Sequence, residues 1–147
     1  MNNASHKGFT LVELIVVLVI IGVLAVSLVP RFFSAAGTSE YLYQDQLLNL
    51  LRRAQIQSMQ CTVACTVPVV SLSNTAAVID AANCNGSLTA TAVCIAGRDA
   101  VSLSPAGTIS FDSLGRPSCS AGSCTIGVQG ETTLNVCIES EGYIHPC

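Results

Sequence analysis

The feature that most constrains this chain is an uncharged, apolar run near its N terminus. Residues 14–30 include no charged side chain and consist mainly of Val, Ile and Leu. The wider segment 9–30 has 22 residues. As an α-helix it would be roughly 33 Å long, enough to cross a hydrocarbon core of about 30 Å. The run therefore predicts a transmembrane helix over residues 9–30.

One carboxylate, that of Glu13, lies inside this run. An acidic side chain at the centre of a transmembrane helix costs about 2.5–3.5 kcal/mol, and less near an interface. One interpretation is a carboxylate tolerated because it lies close to the cytoplasmic surface. The other is an ion-pair partner: cleavage after Gly8 would create an α-amino group on Phe9, within reach of Glu13 in a neighbouring helix. Such a pair favours one register, because the alternatives leave a charge in lipid.

The flanks of the run bear on its orientation and on the rival interpretation as a secretory signal. Lys7 in a short leader favours an N terminus in the cytoplasm. A secretory signal would have a shorter apolar region followed by a small-residue cleavage site. Here only the weak site Ala35-Ala36-Gly37 follows the run. The flanks therefore favour a membrane helix over a signal peptide.

The segment Gly8-Phe9-Thr10-Leu11-Val12-Glu13, followed by an apolar helix, resembles the N-terminal signature of type IV pilins and type II secretion pseudopilins. Pro30 matches a proline that many pilins carry late in this helix. The resemblance implies that a prepilin peptidase cuts between Gly8 and Phe9 and N-methylates Phe9. It also implies that Glu13 guides docking of the subunit into a filament.

The resemblance also implies an organisation for the whole chain. The expected parts are a leader at 1–8, a transmembrane and filament-core helix at 9–30, and an exported globular domain at 31–147. The implied partners are other pilin subunits, the peptidase, the inner-membrane assembly platform and, before assembly, membrane lipid. The expected location is the bacterial inner membrane, as a single-pass protein with a cytoplasmic N terminus and a periplasmic C-terminal domain, and then the pilus at the cell surface.

A second helix is predicted from about residue 39 to residue 60. Its start is indicated by Ser39 and Glu40, since an acid is favoured at the positive end of a helix. Pro30 and Gly37 predict a kink or loosened segment before it. Apolar residues recur at three- and four-residue spacing and are expected to face a core: Tyr43, Leu47, Leu50, Leu51 and Ala54.

After Gln60 the sequence changes to short β-type runs separated by Asn, Gly, Ser and Pro. Strands that follow one long helix predict an antiparallel sheet packed on that helix, and hence an α+β, pilin-like fold with a long kinked N-terminal helix. Gly115-Arg116-Pro117 is expected to be a turn. The predicted strands are 62–72, 76–80, 89–96, 100–103, 108–112, 125–129, 132–140 and 143–145.

All eight cysteines follow the apolar run. An even number of cysteines in a small exported domain predicts a disulfide framework. Zinc is the rival explanation, but there is no C-x₂-C pair and there are only two histidines. We therefore predict no metal site. Pairing of sequence neighbours is the simplest arrangement, because each pair brackets a turn or short excursion: Cys61 with Cys65, Cys84 with Cys94, Cys119 with Cys124, and Cys137 with Cys147.

The C-terminal part is similar to minor pilins and pseudopilins of the H-type/FimT-like group. The similar features are Arg52-Arg53-Ala54 in the second helix, Ile109-Ser110-Phe111 before Gly115, and Val136-Cys137-Ile138 near Gly142. The cysteine density favours a surface pilus, such as an MSHA-type adhesive pilus. The expected function is thus a structural minor pilin that enters or primes a type IV pilus for adhesion or motility, without a cofactor. A minor pseudopilin of a type II secretion system is the alternative.

Two other classes fit the sequence less well. A DNA-uptake pilin needs a basic surface, whereas loss of Lys7 with the leader changes the net charge from −3 to −4. FimT-like DNA binders carry an arginine two positions after a Gly-Arg, where this chain has Ser118. A periplasmic enzyme would leave Gly8 and Glu13 unexplained, and His145 has no serine or acid at a recognised catalytic spacing. The sequence therefore favours neither nucleic-acid binding nor catalysis.

Overall fold

The computed structural model describes residues 9–33, 36–61, 65–80, 82–84, 90–120 and 124–147, with the backbone alone for 27–33 and 36–37. The predicted leader, residues 1–8, lies outside this set. The chain divides into two compact units, Met1–Ala35 and Ala36–Cys147. The sequence-based prediction placed the corresponding boundary at residue 30. Each unit is described by itself.

The described part of the first unit is the helix α1, Leu11–Phe33. Every side chain described from Phe9 to Val26 is exposed, although nearly all are apolar. Among the residues with described side chains, no helix combines the length and hydropathy of a membrane span. The helical backbone continues through Pro30. Both the transmembrane helix over 9–30 and the kink at Pro30 stay predictions.

The second unit opens with the helix α2, Ala36–Gln60. The predicted start at Ser39 is wrong by three residues, and Gly37 lies within the helix. A glycine inside a helix costs only about 1 kcal/mol relative to alanine, which the packing of this amphipathic helix readily offsets. The predicted core-facing stripe is confirmed, because all five of its residues are buried: Tyr43, Leu47, Leu50, Leu51 and Ala54.

Nine strands and one short 3-10 helix follow in the described part of the second unit. The 3-10 helix is Gly97–Asp99 and lies between the third and fourth strands. The strands are short, as expected for runs bounded by turn residues. They are β1 (Val69–Ser73), β2 (Ala76–Ile79), β3 (Ala92–Cys94), β4 (Ser102–Ser104), β5 (Gly107–Phe111), β6 (Pro117–Cys119), β7 (Thr125–Gln129), β8 (Thr133–Ile138) and β9 (Ile144–Pro146).

The strands form two antiparallel sheets, so the prediction of one sheet is wrong. The first has the order β3-β2-β1-β5-β6, and the second has the order β4-β7-β8-β9. The division arises at β4, which pairs with β7 and sets Leu103 opposite Val128, two buried side chains. The chain then returns to the first sheet, where β5 pairs with β1. Hydrophobic pairing across a distance of more than 20 residues in sequence thus decides the architecture.

Strand β6 corrects the expectation that Gly115-Arg116-Pro117 is simply a turn. Pro117 is the first residue of β6 and pairs with Phe111. β6 is one of the two edge strands of its sheet, and an edge or a first position is where a sheet tolerates a residue without a backbone N–H. The connection between β5 and β6 is residues 112–116 and closes through Asp112, whose Oδ1 accepts the backbone N–H groups of Leu114 and Arg116.

The core of the second unit lies where α2 packs against strands of both sheets. Its largest fully buried side chains come from the helix and from each sheet, among them Leu47, Leu51, Leu103, Phe111 and Ile126. One helix face thus contacts both sheets, which are also joined directly by packing of β1 against β4 and by the Cys119–Cys124 disulfide.

Candidate processing and assembly site

The start of α1 is shaped by Thr10. Its Oγ1 accepts a hydrogen bond from the backbone N–H of Glu13 at 3.3 Å, and its carbonyl accepts the N–H of Leu14 at the same distance. Thr10-Leu11-Val12-Glu13 has the Thr-x-x-Glu spacing of a capping box, of which the Thr10 bond is one half. The capping role of Thr10 was missed in the sequence, although this four-residue pattern signals it.

Glu13 consequently lies in the first turn of α1, where a carboxylate is favoured by the partial positive charge of the helix N terminus. Its side chain is exposed, and so is that of Phe9, which directly precedes the capping residue. Gly8 lies outside the described residues. The arrangement brings the predicted new N terminus and the predicted docking carboxylate to the same end of one helix.

In the second unit, α2 binds the second sheet through polar side chains. The Oε1 atom of Glu40 accepts the backbone N–H of Thr132 at 3.0 Å, and Gln44 donates to the carbonyl of Asn135 at 2.8 Å. The side chain of Glu40 is fully buried, so the expectation that it merely starts the helix is wrong. Donation by Thr132 lowers the pKa of Glu40, because hydrogen bonds to a carboxylate favour its charged form.

The β7–β8 turn packs against the side chain of Glu40 at Gly130. A Cβ atom at Gly130 would lie within 2.4 Å of the Glu40 side chain, a distance that no side chain could occupy. Among the described residues, the Oε2 atom of Glu40 has no hydrogen-bond partner. The backbone of the turn can therefore approach the helix only because residue 130 lacks a side chain.

One side chain in the C-terminal half of α2 donates hydrogen bonds to two turns. The Nε2 atom of Gln55 donates to the carbonyls of Gly115 and Gly142 at 2.8 and 2.7 Å. Gly115 precedes β6 in the first sheet, and Gly142 precedes β9 in the second. One turn earlier on the helix, Arg52 donates to the carbonyl of Ile144 at 3.2 Å. A single amide thus links one turn from each sheet to the end of α2.

The cysteines form four disulfides, and none is free. The bonded pairs are the sequence neighbours that the simplest pairing predicts. Their Cα atoms are between 5.6 and 5.9 Å apart, within the usual range for disulfides of about 4.4–6.8 Å. The bonds are Cys61–Cys65, Cys84–Cys94, Cys119–Cys124 and Cys137–Cys147.

A small cluster on the exposed side of the C-terminal hairpin consists of His145, Glu139 and Tyr143. The Nε2 atom of His145 is 3.0 Å from a carboxylate oxygen of Glu139, and its ring stacks on Tyr143 with the ring centroids 4.9 Å apart. The hydrogen bond to Glu139, aided by the carbonyl of Pro146, raises the pKa of His145 above its ordinary value of 6.5. The cluster stabilises the end of the chain and has no catalytic partner among the described residues.

The raised pKa of His145 makes part of the stability of this hairpin pH-dependent. Since the folded-state pKa lies above the unfolded-state value, the contribution is complete below about pH 6.5. It is lost as the pH rises through the folded-state pKa. We expect an NMR titration of His145 to give a pKa above 6.5, and Glu139→Gln to bring it back towards that value. A pKa at or below 6.5 in the unmodified chain would contradict the contact.

Comparison with known proteins identifies one segment. Residues 3–29 match the family model of the prokaryotic N-terminal methylation motif. No curated protein and no solved structure matches the chain. The matched segment contains Gly8, Phe9, Thr10 and Glu13, and the motif is of the prepilin type. It indicates a membrane-anchored precursor that is a substrate of prepilin peptidase and a structural subunit, and it supports a relationship to type IV pilins and pseudopilins.

Proposed function

We propose that this chain is a structural minor pilin, which enters or primes a type IV pilus after cleavage between Gly8 and Phe9. The observation that carries the proposal is the methylation motif at residues 3–29, which coincides with an exposed apolar helix. The second unit, stabilised by four disulfides, would form the outer part of the subunit. The α+β architecture with antiparallel sheets is consistent with a pilin-like fold.

The exposed surface of α1 gives the physical reason for assembly. Side chains that are apolar on all sides of a helix need a non-aqueous environment. Membrane lipid would supply it before assembly, and the helices of other subunits would supply it in the filament. Glu13 is the only acidic residue of α1, and in a packed helical core it would need a cation. The methylated α-amino group of Phe9 in a neighbouring subunit would provide one.

The second unit fits the proposed location. All eight cysteines lie in it, and disulfides form and persist in oxidising compartments such as the periplasm. A single-pass protein of the inner membrane, with a cytoplasmic N terminus and this unit in the periplasm, would account for both the apolar helix α1 and the disulfides of the second unit. Its partners would be prepilin peptidase, the assembly platform and other pilin subunits. On the same evidence of cysteine density, an adhesive pilus is favoured over the alternative, a type II secretion pseudopilin.

The role of Glu13 is tested by Glu13→Gln. Glutamine can still complete a capping box, so the substitution removes the charge and leaves the start of α1 intact. We expect normal membrane insertion and processing, but a loss of at least about tenfold of the subunit from sheared filaments, because removing one partner of a buried ion pair costs several kcal/mol. Quantitative immunoblotting of filament and membrane fractions would measure it.

The matched control is Thr10→Val, which removes the capping hydroxyl and keeps the charge. Loss of a cap costs about 1 kcal/mol, and we expect the variant to enter filaments once an N-terminal Phe9 has been verified. Wild-type amounts of Glu13→Gln in sheared filaments would show that the carboxylate is not the docking group.

A further inference from the structure

The exposed face of α2 differs in character between its two ends. Residues three or four apart on a helix share a face, and six exposed residues follow this spacing from one end of α2 to the other. The order along the face is aromatic, acidic, amide, basic and then apolar. These residues are Tyr41, Asp45, Asn49, Arg52, Ile56 and Met59.

At the C-terminal end of α2, four large apolar side chains are solvent-exposed and form what we name the basic-end patch. Ile56, Met59, Leu114 and Tyr143 have exposed fractions of 53, 48, 66 and 67%. They lie together because Gln55 holds the two turns that carry Leu114 and Tyr143. Ile56 and Tyr143 also line one shallow groove.

The charge around this patch is positive. Arg52 and Arg53 are exposed, and within the described residues neither forms a salt bridge. Asp112, two residues before Leu114, is exposed and offsets one of these two arginine charges; its Oδ1 atom accepts the backbone N–H groups of Leu114 and Arg116. The remaining charged groups near the patch form two pairs. Arg116 is 3.5 Å from Glu141, and His145 is 3.0 Å from Glu139.

At the opposite end of α2, Tyr41 and Leu42 are exposed by 55 and 57% and form the acidic-end patch together with Asp45 and Glu131. The bond from Thr132 to Glu40 places the neighbouring Glu131 at this end. In the described part of the chain, neither Asp45 nor Glu131 has a salt-bridge partner.

One basic residue also lies towards this end. Tyr43 donates a hydrogen bond to Asp99 and so brings the 3-10 helix to α2. Arg98 belongs to that 3-10 helix and is paired with Asp99 at 3.5 Å. The charge of the residues without a salt-bridge partner is therefore negative at the acidic end, opposite in sign to that at the basic end.

We infer that the acidic-end patch of one copy of this chain docks on the basic-end patch of the next copy, with Asp45 facing Arg53. The inference rests on the proposed function, because subunits inserted into one membrane all point the same way. Contacts between parallel copies are heterologous and must join two different surfaces. Exposed apolar clusters with opposite unpaired charges supply such a pair.

The spacing of the two patches sets the offset between neighbouring copies. Asp45 and Arg53 are eight residues apart, and Leu42 and Ile56 are 14 residues apart. At about 1.5 Å per residue, docking requires an axial offset of roughly 12–21 Å along α2. Repetition of one such offset produces a run of copies, since a heterologous contact that does not close into a ring generates a helical filament.

The inference is tested by photo-crosslinking of the full chain in cells that assemble filaments. A benzophenone amino acid replaces Leu114, and a second, epitope-tagged copy is co-expressed. We expect a covalent dimer in sheared filaments, with the adduct in the tryptic peptide that ends at Arg52 and contains Tyr41 and Leu42. The matched control places the crosslinker at Val67, which is 41% exposed and lies outside both patches, and should not give this adduct.

Charge-reversal variants provide an independent test of the docking. Asp45→Arg and Arg53→Asp should each lower the yield of the Leu114 crosslink by at least about threefold, and the double variant should restore it to within about twofold, as expected for directly interacting residues. Two results would overturn the docking and leave the proposed function standing. In the first, the chain enters filaments but forms adducts only with other proteins or other segments. In the second, the crosslink yield of the double variant is no higher than that of the single variants. Absence of the unmodified chain from sheared filaments would overturn the proposed function as well.

Discussion

Gly8→Leu should leave the leader attached to every copy of the chain. The proposed cleavage site has a glycine directly before the scissile bond, and a branched side chain there would obstruct the peptidase. Without cleavage, the nitrogen of Phe9 remains an uncharged amide and cannot pair with Glu13. We therefore expect a precursor with all eight leader residues, inserted in the membrane and absent from filaments. Intact-mass measurement and N-terminal sequencing of the membrane fraction would show it.

The control for this prediction is Gly22→Leu. Gly22 lies in the middle of α1, and a Cβ atom there meets nothing within 4 Å, so the same substitution should leave processing unaffected. A free N-terminal Phe9 in the Gly8→Leu variant would contradict the assignment of the cleavage site.

Gly142→Ala should be the most destabilising of the conservative changes in the second unit. Gly142 has φ +91°, and a Cβ atom would lie 2.1 Å from the carbonyl oxygen of Gly115 and 2.6 Å from Nε2 of Gln55. A left-handed conformation costs an L-residue roughly 1–2 kcal/mol, and overpacking adds about 1–3 kcal/mol. We expect the free energy of unfolding to fall by about 2–5 kcal/mol. Urea denaturation of the full chain in detergent, followed by near-UV circular dichroism, would measure the shift.

Gly97→Ala provides the comparison. A Cβ atom at Gly97 meets nothing within 4 Å, and its substitution should change the free energy of unfolding by less than about 1 kcal/mol. Equal denaturation midpoints for the two variants would show that the turns of the two sheets are not held as closely as the contact of Gly142 with Gly115 indicates.

Local periodicity was sufficient for much of the fold. The five apolar residues of α2 that were predicted from helical spacing to face the core are buried, whereas Leu42, Ile56 and Met59 are exposed. The predicted strand 125–129 coincides with β7, 76–80 differs from β2 by one residue at its C-terminal end, and 108–112 is shifted by one residue relative to β5. These elements are predictable because alternation or helical spacing reflects which side of one segment is buried, and the segment itself contains that information.

The partners of the elements were not predictable in this way. β4 could have continued the first sheet, but it joins β7 through Leu103 and Val128. Glu40 has the sequence position of an ordinary N-terminal acid, yet the β7–β8 turn, more than 90 residues later, buries it. Gln55 looks like a solvent-facing residue until the turns at Gly115 and Gly142 are brought to it.

By itself, the sequence determined the apolar N-terminal helix, the prepilin-type motif around Gly8 and Glu13, the amphipathic face of α2 and the even number of cysteines. Each of these depends on the order of residues within one short segment or on composition. Only the tertiary structure decided the division into two sheets, the burial of Glu40, the Gln55 link and the opposite charge of the two exposed ends of α2. Those depend on which distant segments pack together, and that choice minimises the free energy of the whole second unit rather than of any one segment.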